Sequence, residues 1–396
     1  MRVLITGLGI ISAIGNNVDQ HRKKLIAGHS GIKKASLLKT RYTDVFPFGE
    51  VAISTDELKK IACIHDEKSI TRTEVLALIA TKQAIESAQL TDQDLRSYDT
   101  ALISASTVGG MSLTDELHSD INKLNTPSQY LNAYNGADHT NKLIRRFGIK
   151  GVSTTFNTAC SSSANAIMFG AKLIKTGRAK RVIVGGSDAL AKFTVNGFNA
   201  LRILSPNPCL PFDENRTGLT LGEGAAYLVL EAESIVGEKK VFGEVSGYGN
   251  TNDAFHPSSI SDEAVGIIAS ISEAIKDAGI QPSEIDYINA HGTGTLNNDS
   301  SEQTGLHKVF GQVPPFQSTK AYTGHTLAAA GSIEAIFCLL AINNNELYPT
   351  INCPNPITTY GLIPIKNYQK NQSIQHVLSN SFGFGGNCSS LVLSKA

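Results

Sequence analysis

Residues 315–340 read PFQSTKAYTGHTLAAAGSIEAIFCLL: a short strand candidate, a turn carrying Lys320 and His325, then a helix that opens on small residues. The same order occurs earlier in TTFNTACSSSANAIMFGAKLI, residues 154–174, with Cys160 in the turn. Each occurrence is preceded, far upstream, by a strand ending in a Gly-x-Gly turn: VLITGLGIISAIG at 3–15 and VFGEVSGYGNTND at 241–253. Self-similarity of this kind marks a duplicated unit. Two similar halves are expected, residues 1–240 and 241–396, joined at the polar, glycine-bearing segment GEKK (237–240).

Outward from these turns, short β-branched runs bounded by glycine alternate with amphipathic stretches, which is the pattern of an α/β protein with a largely buried sheet. Val182-Ile183-Val184-Gly185-Gly186 is one strand, and Thr73 to Gln89, free of Pro and Gly, is a helix packed upon the sheet. The 396 residues carry 35 basic and 35 acidic side chains, so a general nucleic-acid or membrane-surface binder is not expected and any charged partner is met by a local patch. Six cysteines without a C-x-x-C pair suggest free thiols in a reducing compartment rather than a zinc knuckle or disulfide framework. The apolar start is broken by Thr6, Gly7 and Gly9 and reads as a buried strand, not a signal peptide. No run of 18 uninterrupted apolar residues occurs, and a soluble cytoplasmic protein without a membrane partner is expected.

Cys160 follows the strand Ser153 to Phe156 and precedes the small residues Ser161 to Ala166, a strand-turn-helix elbow without the G-x-S-x-G pattern. A thiol at a helix N-terminus feels the positive end of the macrodipole, so a lowered pKa and a thiolate near neutral pH are expected. The competing reading is a small buried hydrophobe, the fate of most free cysteines. A thiolate that only formed a thioester would need little more, but further chemistry needs donors for a developing anion. His291 follows the strand Ile285 to Ile288 and leads into Gly292-Thr293-Gly294-Thr295; His325 stands in the second half's counterpart of the Cys160 turn. A lone histidine is more often structural; two in equivalent turns of a duplicated chain favour a site. Lys320 is either a solvated charge or a buried cation, with Glu334 as candidate counter-charge. A zinc site from His291, His325 and Asp299 lacks any close H-x-x-x-H spacing, and no metal is expected. The loop Asn380 to Asn387 (NSFGFGGN) can bring backbone amides to a ligand as an oxyanion hole. With no Walker sequence and no complete G-x-G-x-x-G, no nucleotide cofactor is expected.

VLITGLGIISAIG, NTACSSSANAI (157–167), PFDENRTGLTLGEGAAYLVLE (211–231), NAHGTGTLNND (289–299), STKAYTGHTLAAAGSIEAI (318–336) and NSFGFGG (380–386) resemble, in this order, the motifs of the decarboxylating β-ketoacyl-acyl-carrier-protein synthases. The resemblance spans nearly the whole chain. It implies a thiolase-like fold, two related halves in a five-layer αβαβα sandwich, assembled as a homodimer or as a heterodimer with a related ketosynthase-like subunit. It implies a Cys-His-His triad at Cys160, His291 and His325, the family's lysine at Lys320 and its helix glutamate at Glu334. The oxyanion amides map onto Cys160 and Phe384, and Phe384 resembles the gatekeeper aromatic. Pantetheine contacts map onto Thr293, Thr295, Ser258 and Ser259, and further substrate contacts are assigned to Phe382 and Val108. Substrates of such enzymes ride on the phosphopantetheine of an acyl carrier protein, with no separate cofactor. Carriers are acidic, and Lys68 and Arg72 are candidates for docking one.

Two departures stand out. The loop after Phe384 reads Gly385-Gly386-Asn387-Cys388-Ser389-Ser390 where G-G-T-N-x-S is usual, and Leu219 occupies a position usually held by Phe. Both can reshape the acyl pocket, so polyene or other secondary-metabolite synthesis stands beside fatty-acid elongation. The alternatives are a non-catalytic chain-length-factor partner, which typically lacks the nucleophile; a thiolase, which uses a second cysteine as base; and a cysteine hydrolase.

Overall fold

The computed structural model describes residues 1–64, 69–123 and 125–396; Lys68 lies outside them. The strands are β1 Val3–Ser12, β2 Thr100–Ala105, β3 Ser153–Phe156, β4 Arg181–Asp188, β5 Gly224–Ala232, β6 Gly243–Asn252, β7 Tyr287–Asn289, β8 Phe316–Gln317, β9 Glu346–Leu347, β10 Gln369–Lys370, β11 His376–Phe382 and β12 Asn387–Ser394. Ten of them form a sheet in the order β3-β2-β4-β5-β1-β6-β12-β11-β7-β8. Outward from the β1–β6 join, both sides repeat one topology: first, fifth, fourth, second and third strand of that side. The first two pairings on each side are antiparallel and the next two parallel. Strand pairing between the sides is short, Leu4 opposite Glu244 and Ile5 opposite Gly243, so each is a five-stranded unit with its own faces to cover.

The helices that matter for the site are α1 Arg72–Ser87, α2 Ser162–Lys175, α3 Lys192–Ala200, α4 Val265–Ala278, α5 Leu296–Phe310 and α6 Ala330–Asn344. α1 packs on the outer face of β1, β4 and β5, and α4 on that of β6 and β12 with α5 behind it. α2 and α6 lie against one another between the two sheets, giving layers α-β-α-β-α. The expected helix from Thr73 is α1; the Thr71–Glu74 capping box fixes its first turn one residue earlier. β4 extends the Val182–Gly186 strand by a residue or two at each end.

The middle layer explains the small residues after both turns. Ile167 and Ile174 of α2 share one apolar cluster with Ile333, Ile336 and Phe337 of α6. The stretch Leu327–Asn344 is long and apolar enough to cross a bilayer, yet 89% of it is buried inside the protein; apolar on all sides, it is a core helix. A Cβ on Gly331 would lie 2.8 Å from Ala164 N and 2.9 Å from Ala164 Cβ. Glycine there lets the first turns of α2 and α6 touch, and Ser332 N–H donates to Ser163 Oγ at 2.9 Å. The Cys160 and His325 turns are thereby brought to one place.

Arg72, proposed above as a docking residue, is instead a partly buried tie, its side chain only 13% exposed. Its guanidinium donates to both carboxylate oxygens of Glu223 at 2.7–3.0 Å and to the Val51 and Ile53 carbonyls at 2.8 and 2.9 Å. Every donor direction points inward, so none is left for a carrier. Arg72→Met strands the Glu223 carboxylate and is expected to cost about 3–5 kcal/mol in denaturant unfolding without raising the KM for a carrier substrate. A raised KM with unchanged stability would restore the docking role.

Candidate active site

β3 ends at Phe156, Ala159 takes a left-handed φ of +52°, and α2 begins at Ser162. Cys160 therefore sits on a tight turn just ahead of the helix, as its flanking residues suggest, and is 6% exposed. The expected low pKa is not found: burial pushes the thiol up to about 11, and Lys320 and the amides of Phe384 and Cys160 pull it back only in part. A helix terminus supplies at most about 2 kcal/mol, or roughly 1.5 pK units. That is too little to bring the thiol to neutrality, so burial wins and the resting group is the protonated thiol.

His291 stands two residues beyond β7, in a loop held from behind by α5. Glu302 accepts the N–H groups of His291 and Gly292, both at 2.8 Å, and Asp299 accepts those of Thr293 and Gly294. Burial pushes Glu302 up to about 7. Glu302 went unnoticed in the sequence and Asp299 entered only as a zinc candidate; two acids three apart on a helix after a Gly/Thr-rich turn was the readable signal.

The His325 N–H donates to the Thr220 carbonyl at 2.7 Å, and its ring meets that of His291 edge-on, centroids 5.4 Å apart at 84°. Leu327 N–H donates to His325 Nδ1 at 3.3 Å. The neutral ring must then carry its proton on Nε2 and present a donor there. Nε2 of His325 and Nδ1 of His291 are buried without a partner among the described residues. Burial first, then the charge of Lys320, holds both imidazoles well below the ordinary histidine value, so both are neutral. A ligand atom from each of Cys160, His291 and His325 lies within 4.8 Å of the others. The trio could surround a metal ion by distance alone; the tautomer with its proton on Nε2 presents a donor to an anion.

Lys320 is the buried cation of the two readings, 1% exposed. Its Nζ donates to Glu334 Oε1 at 2.5 Å and to the His291 carbonyl at 2.6 Å, linking the two histidine turns. Asp188, also missed in the sequence, accepts from Thr107 N, Val108 N and Ala328 N and so ties β4 to the start of the central helix.

Two cavities meet at the thiol. One of about 360 Å³ is lined by Cys160, both histidines, Thr293, Thr295, Ser258, Ser259 and Phe382. A second, of about 530 Å³, lies toward Val108, Met111, Phe193 and Leu327. Phe384 and Phe198, stacked with centroids 5.9 Å apart, border both. The residues assigned above to catalysis and substrate contact thus fall at or directly behind one continuous site, whereas Arg72 does not and Lys68 is outside the described residues.

Residues 1–235 match the N-terminal domain of β-ketoacyl synthases and residues 242–354 the C-terminal domain. The chain belongs to the β-ketoacyl synthase family. This synthase is 34% identical to the 3-oxoacyl-[acyl-carrier-protein] synthase 2 of Coxiella burnetii, covering 100% of this chain and 98% of that protein. It superposes on the ishigamide ketosynthase/chain length factor with a TM-score of 0.92 at 30% identity, covering 100% and 99% of the two chains. A type II ketosynthase solved in complex with its acyl-carrier protein and bound to a hexaketide gives a TM-score of 0.89 at 26% identity, covering 100% and 99%. The thiolase-like sandwich expected of the synthase is the fold observed. Of its two departures, Leu219 lines the smaller cavity, where it does shape the wall.

Proposed function

We propose that this synthase joins an enzyme-bound acyl group to a decarboxylating malonyl unit on an acyl carrier protein, and that the single observation carrying this is the convergence of Cys160 with two neutral imidazoles. Cys160 sulfur attacks the acyl thioester of a carrier; the carbon–sulfur bond to the carrier breaks, and the cysteine's proton ends on the carrier's thiol. The acyl carbonyl is held by the N–H groups of Cys160 and Phe384, both directed at the sulfur. Malonyl carrier then loses carbon dioxide, and its enolate oxygen accepts hydrogen bonds from His291 and His325. Neutral donors suit this step because an imidazolium would protonate the carbanion before it reacts. The enolate carbon attacks the acyl thioester, the new carbon–carbon bond forms, and the Cys160 sulfur leaves and takes up a proton.

In this reading Thr293, Thr295, Ser258 and Ser259 line the approach of the pantetheine arm, with Phe382 beside the reacting atoms. Val108 stands in the second cavity, whose largely apolar lining suits a hydrocarbon acyl chain. Phe384 gates the passage between them. Lys320 and Glu334 fix the field, and no metal or separate cofactor takes part. We place the nucleophile in a first half, residues 1–240, and the histidines in a second, 241–396, working in the cytoplasm. The partners are an acyl carrier and a second subunit, identical or ketosynthase-like; complexes of both kinds are known for similar proteins. The pathway is fatty-acid, polyene or polyketide-type. A chain-length-factor role is disfavoured by the assembled triad.

Incubated with an acyl carrier and malonyl carrier, the protein should release one carbon dioxide per β-ketoacyl carrier formed. Free acid appearing without malonyl consumption would mark a hydrolase and sink the proposal.

A further inference from the structure

We propose that Asn387 is a positioning residue for acyl transfer, holding the Cys160 turn and the Phe384 loop in register; the inference rests on the condensing reading above. Its Oδ1 lies within hydrogen-bond distance of four donors: Ser161 Oγ at 2.7 Å, Asn165 Nδ2 at 2.9 Å, Asn250 Nδ2 at 3.0 Å and Ser389 Oγ at 3.2 Å. The three amide orientations are mutually consistent: Asn165 Nδ2 and Asn250 Nδ2, which have no lone pair to offer, both face the Asn387 oxygen. Ser161 is the residue after the nucleophile and Asn165 lies one turn into α2. At the other end, the Asn387 carbonyl accepts the Gly383 N–H at 2.8 Å, next to Phe384. One residue thus grips both segments that supply the N–H groups facing the Cys160 sulfur.

Asn387 lies in the loop that departs from the G-G-T-N-x-S pattern noted above. Asn387 Nδ2 in turn donates to Asn250 Oδ1 at 3.4 Å, so both ends of the amide are used, which a single threonine hydroxyl does not reproduce. An amide oxygen accepts without donating, and it reaches a centre that belongs to α2, β6 and β12 at once. Removing it frees the Phe384 amide to move relative to the sulfur, a displacement that catalysis of acyl transfer feels strongly. The histidines are anchored by Glu302, Thr220 and Leu327 and do not touch this cluster.

The test separates the two half-reactions. In Asn387→Ala, single-turnover acylation of Cys160, followed by intact mass, should slow on the order of 10-fold or more. Asn387→Asp, which keeps the acceptor, should acylate faster than the alanine variant. Placed in a Cys160→Gln background, Asn387→Ala should leave malonyl decarboxylation at the rate of its parent. Unchanged acylation, an aspartate variant no better than alanine, or equal losses in both half-reactions, as general loosening of the fold would give, overturns the proposal. A wild-type protein that accepts no acyl group from any carrier refutes the condensing reading itself, and this inference with it.

Discussion

Cys160→Ala is expected to remove the acyl adduct from the intact-mass spectrum and to lower condensation by about 10³-fold or more. No other thiol can substitute. Cys209, Cys338, Cys353 and Cys388 are buried in the core, and Cys63, the exposed one, lies outside both cavities at the thiol. Cys160→Gln separates the half-reactions further. Its side-chain carbonyl stands about where an acyl carbonyl would, facing the amides at positions 160 and 384, but it can neither attack nor be attacked. The groups that decarboxylation needs are untouched, since His291 and His325 owe their placement to Glu302, Thr220 and Leu327. Carbon dioxide should therefore still be released while condensation stops. An adduct persisting in Cys160→Ala would refute the nucleophile, and absence of carbon dioxide from Cys160→Gln would refute the roles of the histidines.

The duplication was legible because each strand-turn-helix writes itself locally: an apolar run, a turn residue with chemistry, then small residues that let α2 and α6 touch at Gly331 and Ala164. The strand order within each half was not, because pairing β1 with β5 across two hundred residues leaves no local mark. The same divide runs through the site. Cys160, His291 and His325 declared themselves by type and context, whereas the state of the thiol depended on burial imposed by the other half of the molecule. Arg72 looked like part of a solvated face because its partner, Glu223, is remote in the chain and no charge pattern near residue 72 announces it. Lys320 could be read either way for the same reason: only packing tells a buried cation from a surface one. Glu302 is the instructive miss, since a buried helix acid under a run of free N–H groups follows from accounting for backbone donors alone.

Lys320→Met is expected to cost about 3–5 kcal/mol in denaturant unfolding, because it leaves the Glu334 carboxylate buried and uncompensated. Glu334 is 2% exposed and its Oε2 has no partner among the described residues, so nothing nearby can take the place of the ammonium. Buried ion pairs are often replaceable by apolar residues of similar volume, so Lys320→Met combined with Glu334→Leu should recover most of that stability. It should not recover activity, for two reasons. The His291 carbonyl loses the donor that fixes it at 2.6 Å, and of the two causes that depress both imidazoles, burial stays while the Lys320 charge disappears. With that cause removed the histidine pKa values move upward, toward the ordinary value near 6.5. Neutral rings are needed, so the acid limb of kcat should shift to higher pH in the double variant. In the wild type the rings stay neutral well below 6.5, and the rate should hold as pH falls through that value. Superimposable acid limbs in the two proteins would mean that Lys320 acts on His291 by placement alone and not through its charge.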